Sequence, residues 1–389
     1  MSAVSTAKEL SRVGFSQVTS AFAMMGFTST CWGAIVPWLS RENEVPISTA
    51  GVLYGVYLFH TLVGTVAVQL LSKKFPLHAF VRIGIVLTLL GFLGIFFTDS
   101  DIFIWVFAAL GGFGYGGTGI SFLLLITRCA NASHFRMNVV SAATGVGALM
   151  GPLMISLLGS VNIPWIVLTS VTGALLTSWV FPDAKWKFSP QPKKSPTPRR
   201  KLPLVMVILG VIFYSGLENS IGAWIPTVAV NSGMTLERGT LFSSIFYLLF
   251  TAGRFLGVWL STRVKPETIV LTMIALTSIP LIGTSLSGDL NVALTALIIA
   301  GLFLGPIFPN SSSWVARRTP DFPGGTTLLM LAVMGGGFIF PPAIGYFIEG
   351  TLTNAFATLL LPLLFISIAF FLLGGRLWRE TSRSVATPD

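Results

Sequence analysis

Twelve apolar runs, each close to the roughly 20 residues that cross a hydrocarbon layer, follow one another along this chain with mostly short polar breaks between them. They fall at about 14–39, 49–71, 78–98, 102–127, 137–160, 163–181, 203–230, 239–262, 267–287, 291–316, 325–348 and 352–375. In lipid a backbone must pair its own N–H and C=O groups, which leaves helices or a closed barrel, and runs this long are helical. The expected fold is therefore an all-α integral membrane protein with twelve transmembrane helices. Composition agrees. Of the 389 residues 53% are hydrophobic and 10% charged, with a mean hydropathy of +0.81, too little charge to cover a soluble surface. No hydrophilic block is large enough for a soluble catalytic domain.

Charge fixes the orientation. With the N-terminus inside, 21 of the 24 Lys and Arg residues fall in inner loops and ends, Arg41 and Arg238 fall outside, and Arg254 lies within a span. Both termini are expected to be cytoplasmic and the protein multi-pass, with the bacterial inner membrane its natural setting. Lys8, Glu9 and Arg12 precede an apolar run longer than a signal-peptide core, without a clear small-residue cleavage site, so it reads as an uncleaved first span. A net charge of +10 gathered on a soluble face would suit nucleic acid; scattered over short loops, it excludes that partner. The expected partners are the lipid bilayer and a small-molecule substrate, with the chain acting as a monomer. Cys31 and Cys129 fall toward opposite sides of the membrane and should not pair, and no metal-binding spacing is present. No cofactor is expected beyond a coupling ion, a proton or sodium.

The long polar stretch, Pro182 to Leu202, holds five prolines among Lys185, Lys187, Lys193, Lys194, Arg199, Arg200 and Lys201. It reads as an extended cytoplasmic linker (182–202) between two six-helix bundles, 1–181 and 203–389, the second ending in a short cytoplasmic tail. Contact with lipid headgroups is a second reading of its charges.

The two halves repeat at an offset of about 189 residues. Gly33-Ala34-Ile35-Val36-Pro37 returns as Gly222-Ala223-Trp224-Ile225-Pro226, and Ser72-Lys73-Lys74-Phe75-Pro76 aligns with Thr262-Arg263-Val264-Lys265-Pro266. Gly112, Gly116 and Arg128 match Gly301, Gly305 and Arg317; Gly145, Gly147 and Pro152 match Gly335, Gly337 and Pro342. Each match is weak alone, but four in order at one offset predict two pseudo-symmetric bundles that rock about a midplane site.

On these features the sequence resembles the major facilitator superfamily over nearly its whole length. Within it the chain is similar to the fucose:proton symporter family and its sugar-transporter-like relatives. That narrower likeness rests on Gly216-Leu217-Glu218-Asn219-Ser220-Ile221-Gly222-Ala223-Trp224-Ile225-Pro226-Thr227, Gly253-Arg254-Phe255-Leu256-Gly257, Gly305-Pro306-Ile307-Phe308-Pro309 and Gly335-Gly336-Gly337-Phe338-Ile339-Phe340-Pro341-Pro342. The resemblance implies alternating access. Two departures limit it. The loop after span 2, Gln69 to Pro76, lacks the superfamily's usual acidic residue, and spans 1 to 6 carry no buried Asp or Glu to match the fucose symporter's N-terminal carboxylates. Fucose specificity and its coupling scheme do not transfer.

Glu218 is the most informative side chain. It lies about fifteen residues into span 7, whereas the other carboxylates fall in loops or at span ends. A carboxylate at a helix centre costs roughly 2.5–3.5 kcal/mol on insertion scales, so it needs a polar cavity or a task. A low-dielectric setting favours the neutral form of any carboxyl, which suits a group that takes up and releases a proton. The competing reading is a structural Glu hydrogen-bonded to a hydroxyl such as Tyr214. Neighbouring candidates for substrate contact are Asn219, Trp224, Tyr214, Thr28, Trp32, Tyr115 and Asn310, with Ser29, Thr30, Thr118 and Ser311 to Ser313 as further hydroxyls on the same spans. Hydroxyls, amides and aromatic planes suit a polyhydroxylated solute, although Ser, Thr and Asn also bond helix to helix in membranes. The superfamily resemblance puts spans 4 and 10 on the cavity and so favours Tyr115 and Asn310.

Arg254 reads as a gating or structural residue that snorkels or holds helix-end carbonyls, with anion binding as the alternative; Arg263 belongs to the same inner end. His60, a lone histidine in span 2, reads first as a packing residue. Gly147, Gly151 and Pro152 partly match an antiporter-associated signature, yet small residues and prolines such as Pro341 also permit close packing and bending. Gly111 to Gly117 mimics a nucleotide fingerprint inside an apolar helix, without its strand. The leading expectation is proton-coupled uptake of a small neutral, sugar-like solute. A proton antiporter exporting drugs or metabolites is the alternative. A membrane enzyme or channel is more distant, since no nucleophile–base or metal constellation stands out.

Overall fold

The structure, a computed structural model, describes residues 10–72, 74–128, 134–179, 201–319, 322, 324–348 and 353–386. All regular elements among them are helical: α1 Arg12–Glu42, α2 Ile47–Leu71, α3 Leu77–Phe97, α4 Phe103–Arg128, α5 His134–Leu158 and, after a short turn of 3-10 helix, α6 Ile163–Trp179. The second half holds α7 Lys201–Asn231, α8 Leu236–Ser261, α9 Pro266–Leu286, α10 Leu290–Leu304, α11 Ile307–Arg318, α12 Gly324–Gly345 and α13 Thr353–Ala386. Twelve membrane-length segments result among the described residues, α10 and α11 together making one. The basic stretch 182–200 and Cys129 lie outside the described residues.

Lengths follow from the bilayer. The 21 residues of α3 and of α9 rise about 31 Å, the thickness of the hydrocarbon layer. The 31 residues of α1 and α7 overrun it. The 34 residues of α13 pass well beyond the apolar run at 352–375, because the Arg- and Glu-containing tail after it has no Gly or Pro before Pro388 to stop the helix. Starts are capped where the loops allow: Ser11 accepts from the Gly14 amide at 3.0 Å, Asp289 from the Val292 amide at 2.9 Å, and Pro266 opens α9. Threonines sit inside apolar helices by donating to the carbonyl four residues back, as Thr88 does to Gly84 at 2.8 Å.

One expected span is broken. The run 291–316 reads as continuous, but α10 stops at Leu304 and α11 restarts at Ile307. Pro306 has no amide to continue the ladder, and Gly305 ends α10 with its amide on the Gly301 carbonyl at 3.0 Å.

The chain divides into two compact units, Met1–Gln191 with Leu236–Ser244, and Pro192–Thr235 with Ile245–Asp389. In the first, α1 packs on α5 and α6, and α4 on α2 and α3. In the second, α7 packs on α12 and α13, and α9 on α10 and α13. Lipid offers no hydrophobic drive between helices, so close backbone approach does much of the joining. A methyl at Gly64, Gly112, Gly116 or Gly147 would first collide with the carbonyl oxygen of Phe113, Tyr57, Thr61 or Ala23. At Gly253, Gly301, Gly305 and Gly336 the oxygen met is that of Leu302, Phe246, Phe250 and Ile212. Each glycine and each partner in the second set stands 189 positions after its equivalent in the first. The sequence repeat is thus a repeat of helix contacts, except that the contacts pair Gly147 with Gly336, one residue before its sequence match Gly337.

Candidate functional site

α7 is enclosed over most of its length, and its opening is narrow. From Tyr214 to Ala229 every residue is buried except Glu218 and Asn219, which are half-buried. Tyr214 and Glu218 are one turn apart and so share a face. The Glu218 carboxyl lies in polar contact with the Tyr214 hydroxyl, and the Arg254 charge on α8 acts on it through space. Tyr214 in turn donates to the Leu304 carbonyl at 3.1 Å and meets the Phe308 amide, which ties α7 to both sides of the break between α10 and α11.

Arg254 is half-buried, its guanidinium 4.6 Å from the centre of the Phe250 ring, and its Nε has no hydrogen-bond partner among the described residues. It reaches this place because Gly253 and Gly257 let α8 lie against Leu302 and Pro306. A carboxyl and a phenol on one face of α7 therefore meet the end of α10, with the charge of Arg254 on α8 acting on the carboxyl. Proton movement onto or off the carboxyl changes its attraction to a fixed positive charge.

The other expected site residues distribute as follows. Asn219 turns its amide back to the Ser215 carbonyl at 2.8 Å and lies against Gly337 of α12. Trp224 is fully buried and donates its indole N–H to the Pro341 carbonyl at 2.9 Å, a staple between α7 and α12. Asn310 is buried in α11 with its amide on the Pro306 carbonyl at 2.8 Å. In the first unit, Thr28 is buried and bonded to the Met24 carbonyl at 2.9 Å and to Ser170. Trp32 is buried in a ring cluster, 5.1 Å from Tyr54 and 4.7 Å from Tyr57 between centroids. Tyr115 is half-buried and donates to the Met25 carbonyl at 3.1 Å.

Gly147 and Gly151 press against the Ala23 and Phe27 carbonyls of α1, with the buried Pro152 next in line, so their contacts are those of helix packing. Arg263 is exposed with its guanidinium 4.4 Å from the Trp259 ring centre. His60 bonds its Nδ1 to the Val56 carbonyl at 2.8 Å, and Cys31 is buried.

Reading the sequence missed one relation. At the 189-residue offset Glu218 corresponds to Ser29, Arg254 to Thr65, and the Tyr214–Leu304 bond to the pair Met25 and Tyr115. That pair is bonded too, with the tyrosine on the opposite helix: Tyr115 donates from α4 to Met25 on α1, whereas Tyr214 donates from α7 to Leu304 on α10. The signal was available in the repeat itself. Ser29 reads in the sequence only as one hydroxyl among several on span 1, until the residue 189 places on proves to be the half-buried Glu218.

Among the described residues, twelve helical spans in two units with repeated helix contacts, and an ionisable cluster inside the second, define a polytopic carrier of the secondary-transport class. The chain belongs to the Major Facilitator Superfamily, whose family profile matches residues 18–341. It is 20% identical over 405 residues to the L-fucose-proton symporter of Escherichia coli (strain K12), covering 92% of each chain. It is 23% identical over 380 residues to the Glucose/mannose transporter GlcP of Bacillus subtilis (strain 168), covering 91% of each. Among solved structures it resembles a bacterial homolog of the human lysosomal transporter Spinster in its inward-facing and occupied conformation. The TM-score is 0.71 at 14% identity, over 93% of this chain and 96% of that one. It is thus a multi-pass membrane transporter, not an enzyme, and its bacterial relatives fit placement in the inner membrane.

Proposed function

We propose that this protein carries a small, neutral, polyhydroxylated solute into the cell by alternating access, coupled to a proton that Glu218 takes up and releases. The reading is carried by one observation: Glu218, with its neighbour Asn219, occupies the opening in an otherwise enclosed stretch of α7 and feels the charge of Arg254. Sugar transport by two relatives that align with nine-tenths of the chain supports the substrate class.

The proton does its work through charge. With Glu218 ionised, its attraction to Arg254 holds α7 and α8 together. Protonation removes that attraction, so the two facing states change in relative energy, and a bound proton biases the carrier toward one of them. Asn219 and Asn310 of the second unit and Tyr115 of the first are the proposed solute contacts, with Trp224, Tyr214, Thr28 and Trp32 as further candidates within their own units. Gly147, Gly151, Pro152 and Pro341 give the rocking helices close, bendable contacts.

The test is uptake into proteoliposomes under an imposed pH gradient, across a panel of sugars, organic acids and dyes. Wild type should accumulate a sugar when the outside is acidic. Glu218→Gln should lose accumulation yet still exchange labelled for unlabelled sugar without a gradient. Full pH-driven accumulation by Glu218→Gln would rule out the coupling role, and uptake of dyes driven by the opposite gradient would point to the antiporter.

A further inference from the structure

The correspondence between Ser29 and Glu218 extends from sequence to accessibility. From Thr28 to Pro37 every residue of α1 is buried except Ser29, which is half-buried. Ser29 and Glu218, 189 residues apart, are thus both accessible, with α1 also half-buried at Met25 and Phe27. The chemistry on the two openings differs. The second unit presents a carboxyl beside a phenol with a guanidinium near. The first presents the Ser29 hydroxyl beside the Tyr115 hydroxyl, with Thr65 at the position of Arg254.

Hydrogen bonding decides what this uncharged opening can bind. Ser29 donates its O–H to the Gly26 carbonyl at 2.9 Å, and Tyr115 donates to the Met25 carbonyl at 3.1 Å. A hydroxyl has one hydrogen and two lone pairs, so both groups have committed their donor and keep acceptor capacity. Thr65 is similarly engaged, with the Thr61 and Gly116 carbonyls. A partner for this opening must bring a hydrogen and carry no anionic charge, since no cation stands at the Thr65 position. A sugar or polyol hydroxyl has that chemistry; a carboxylate or phosphate does not.

We propose that Ser29, with the Tyr115 hydroxyl beside it, is a hydroxyl-accepting subsite of the first unit, the uncharged counterpart of Glu218, and that it binds one hydroxyl of the transported sugar. This rests on the sugar-carrier reading above and goes further by assigning recognition of that hydroxyl to one unit and protonation to the other.

Two arms test it in proteoliposomes. For a sugar that wild type accumulates, Ser29→Ala should raise KM roughly 2- to 10-fold, the loss of one neutral hydrogen bond, while the pH dependence of uptake stays where it was. Methylating the hydroxyl that Ser29 accepts should cost wild type the same factor and cost Ser29→Ala nothing further. In the second arm, Ser29→Cys should react with a small thiol reagent faster than the parent chain with its own two cysteines, the buried Thr30→Cys should not, and the transported sugar should slow the reaction. An unchanged KM in Ser29→Ala, labelling of Ser29→Cys no faster than of Thr30→Cys, or labelling that no transported sugar slows would each overturn the subsite. Wild type that accumulates no sugar fails the carrier reading itself, and the subsite with it; the KM and labelling results fail the subsite alone.

Discussion

Adjacent glycines on α12 should respond in opposite directions to the same substitution. At Gly336 an added methyl would meet the Ile212 carbonyl oxygen at far less than any real contact, with the Gly216 amide nitrogen at 2.9 Å and the Ser215 Cβ at 3.0 Å. Two of these three obstacles are backbone, so no side chain can swing away, and α7 and α12 would have to part. At Gly335, one residue earlier, nothing lies within 4 Å of the built position. Overpacking a tight contact costs about 1–3 kcal/mol. Replacing Gly by Ala inside a helix gains about 0.5–1 kcal/mol from the stiffer unfolded chain. Gly336→Ala should therefore lose on the order of 1–2 kcal/mol and Gly335→Ala should gain up to about 1 kcal/mol. Thermal unfolding of the purified protein in detergent, followed by tryptophan fluorescence, reads both: a midpoint lower by a few degrees for the first, unchanged or higher for the second. Gly147→Ala, the equivalent substitution on α5, should match Gly336→Ala in sign because it meets the equivalent carbonyl of Ala23. Equal effects at Gly335 and Gly336, or a harmless Gly147→Ala, would refute both the contact geometry and the claim that the halves repeat contact by contact.

Two further outcomes follow from the site. Trp224→Phe keeps the ring but leaves the Pro341 carbonyl without its 2.9 Å donor, and should destabilise by about 1 kcal/mol, the upper range for hydrogen bonds between membrane helices, measurable in the same unfolding experiment. Arg254→Gln removes the charge that acts on Glu218 while keeping a side chain that can cover Phe250; it should abolish proton-driven accumulation but leave sugar exchange within about threefold of wild type, and loss of exchange to the same extent would make Arg254 a substrate or folding residue instead.

Much of this architecture is legible in the sequence because lipid leaves few options. Runs of apolar residues long enough to cross a bilayer must become helices, so the spans follow from composition and length, within a few residues at each end. The ends that differ are set by local chemistry that hydropathy does not see. α13 runs past Phe370 and Gly375 into an Arg-rich tail because charged residues are good helix formers. The break at Gly305–Pro306 was hidden for the opposite reason. Prolines inside membrane helices are common, and α1, α5, α7, α9, α12 and α13 each contain at least one without being divided. The chain stops at Pro306 because Gly305 precedes it and Tyr214 bonds the freed Leu304 carbonyl, a partner 90 residues away.

The site was legible in proportion to the cost of burying each group. Glu218 stood out because an acid at a helix centre is expensive enough to need a reason. Ser29 ranked no higher than the other hydroxyls of span 1, because a hydroxyl can satisfy itself on its own helix and so costs little to bury. That difference in cost also bears on how a repeated fold becomes a directional machine. Two units with matching backbone contacts at Gly64 and Gly253, Gly112 and Gly301, Gly116 and Gly305, Gly147 and Gly336 have matching tendencies to move. A ligand shifts an equilibrium between two states only by its differential affinity for them, so a proton must find its binding group in one unit and not in its twin if it is to favour one movement over the other. Placing Glu218 and Arg254 where the first unit keeps Ser29 and Thr65 provides that inequality with two side chains and no change of fold. The inequality should also be portable: in a chain carrying Glu218→Ser and Arg254→Thr together, the two openings become chemically alike, and sugar exchange should persist while the imposed pH gradient no longer drives accumulation. Accumulation that survived both changes would place the proton on some other group and separate the repeat from the coupling altogether.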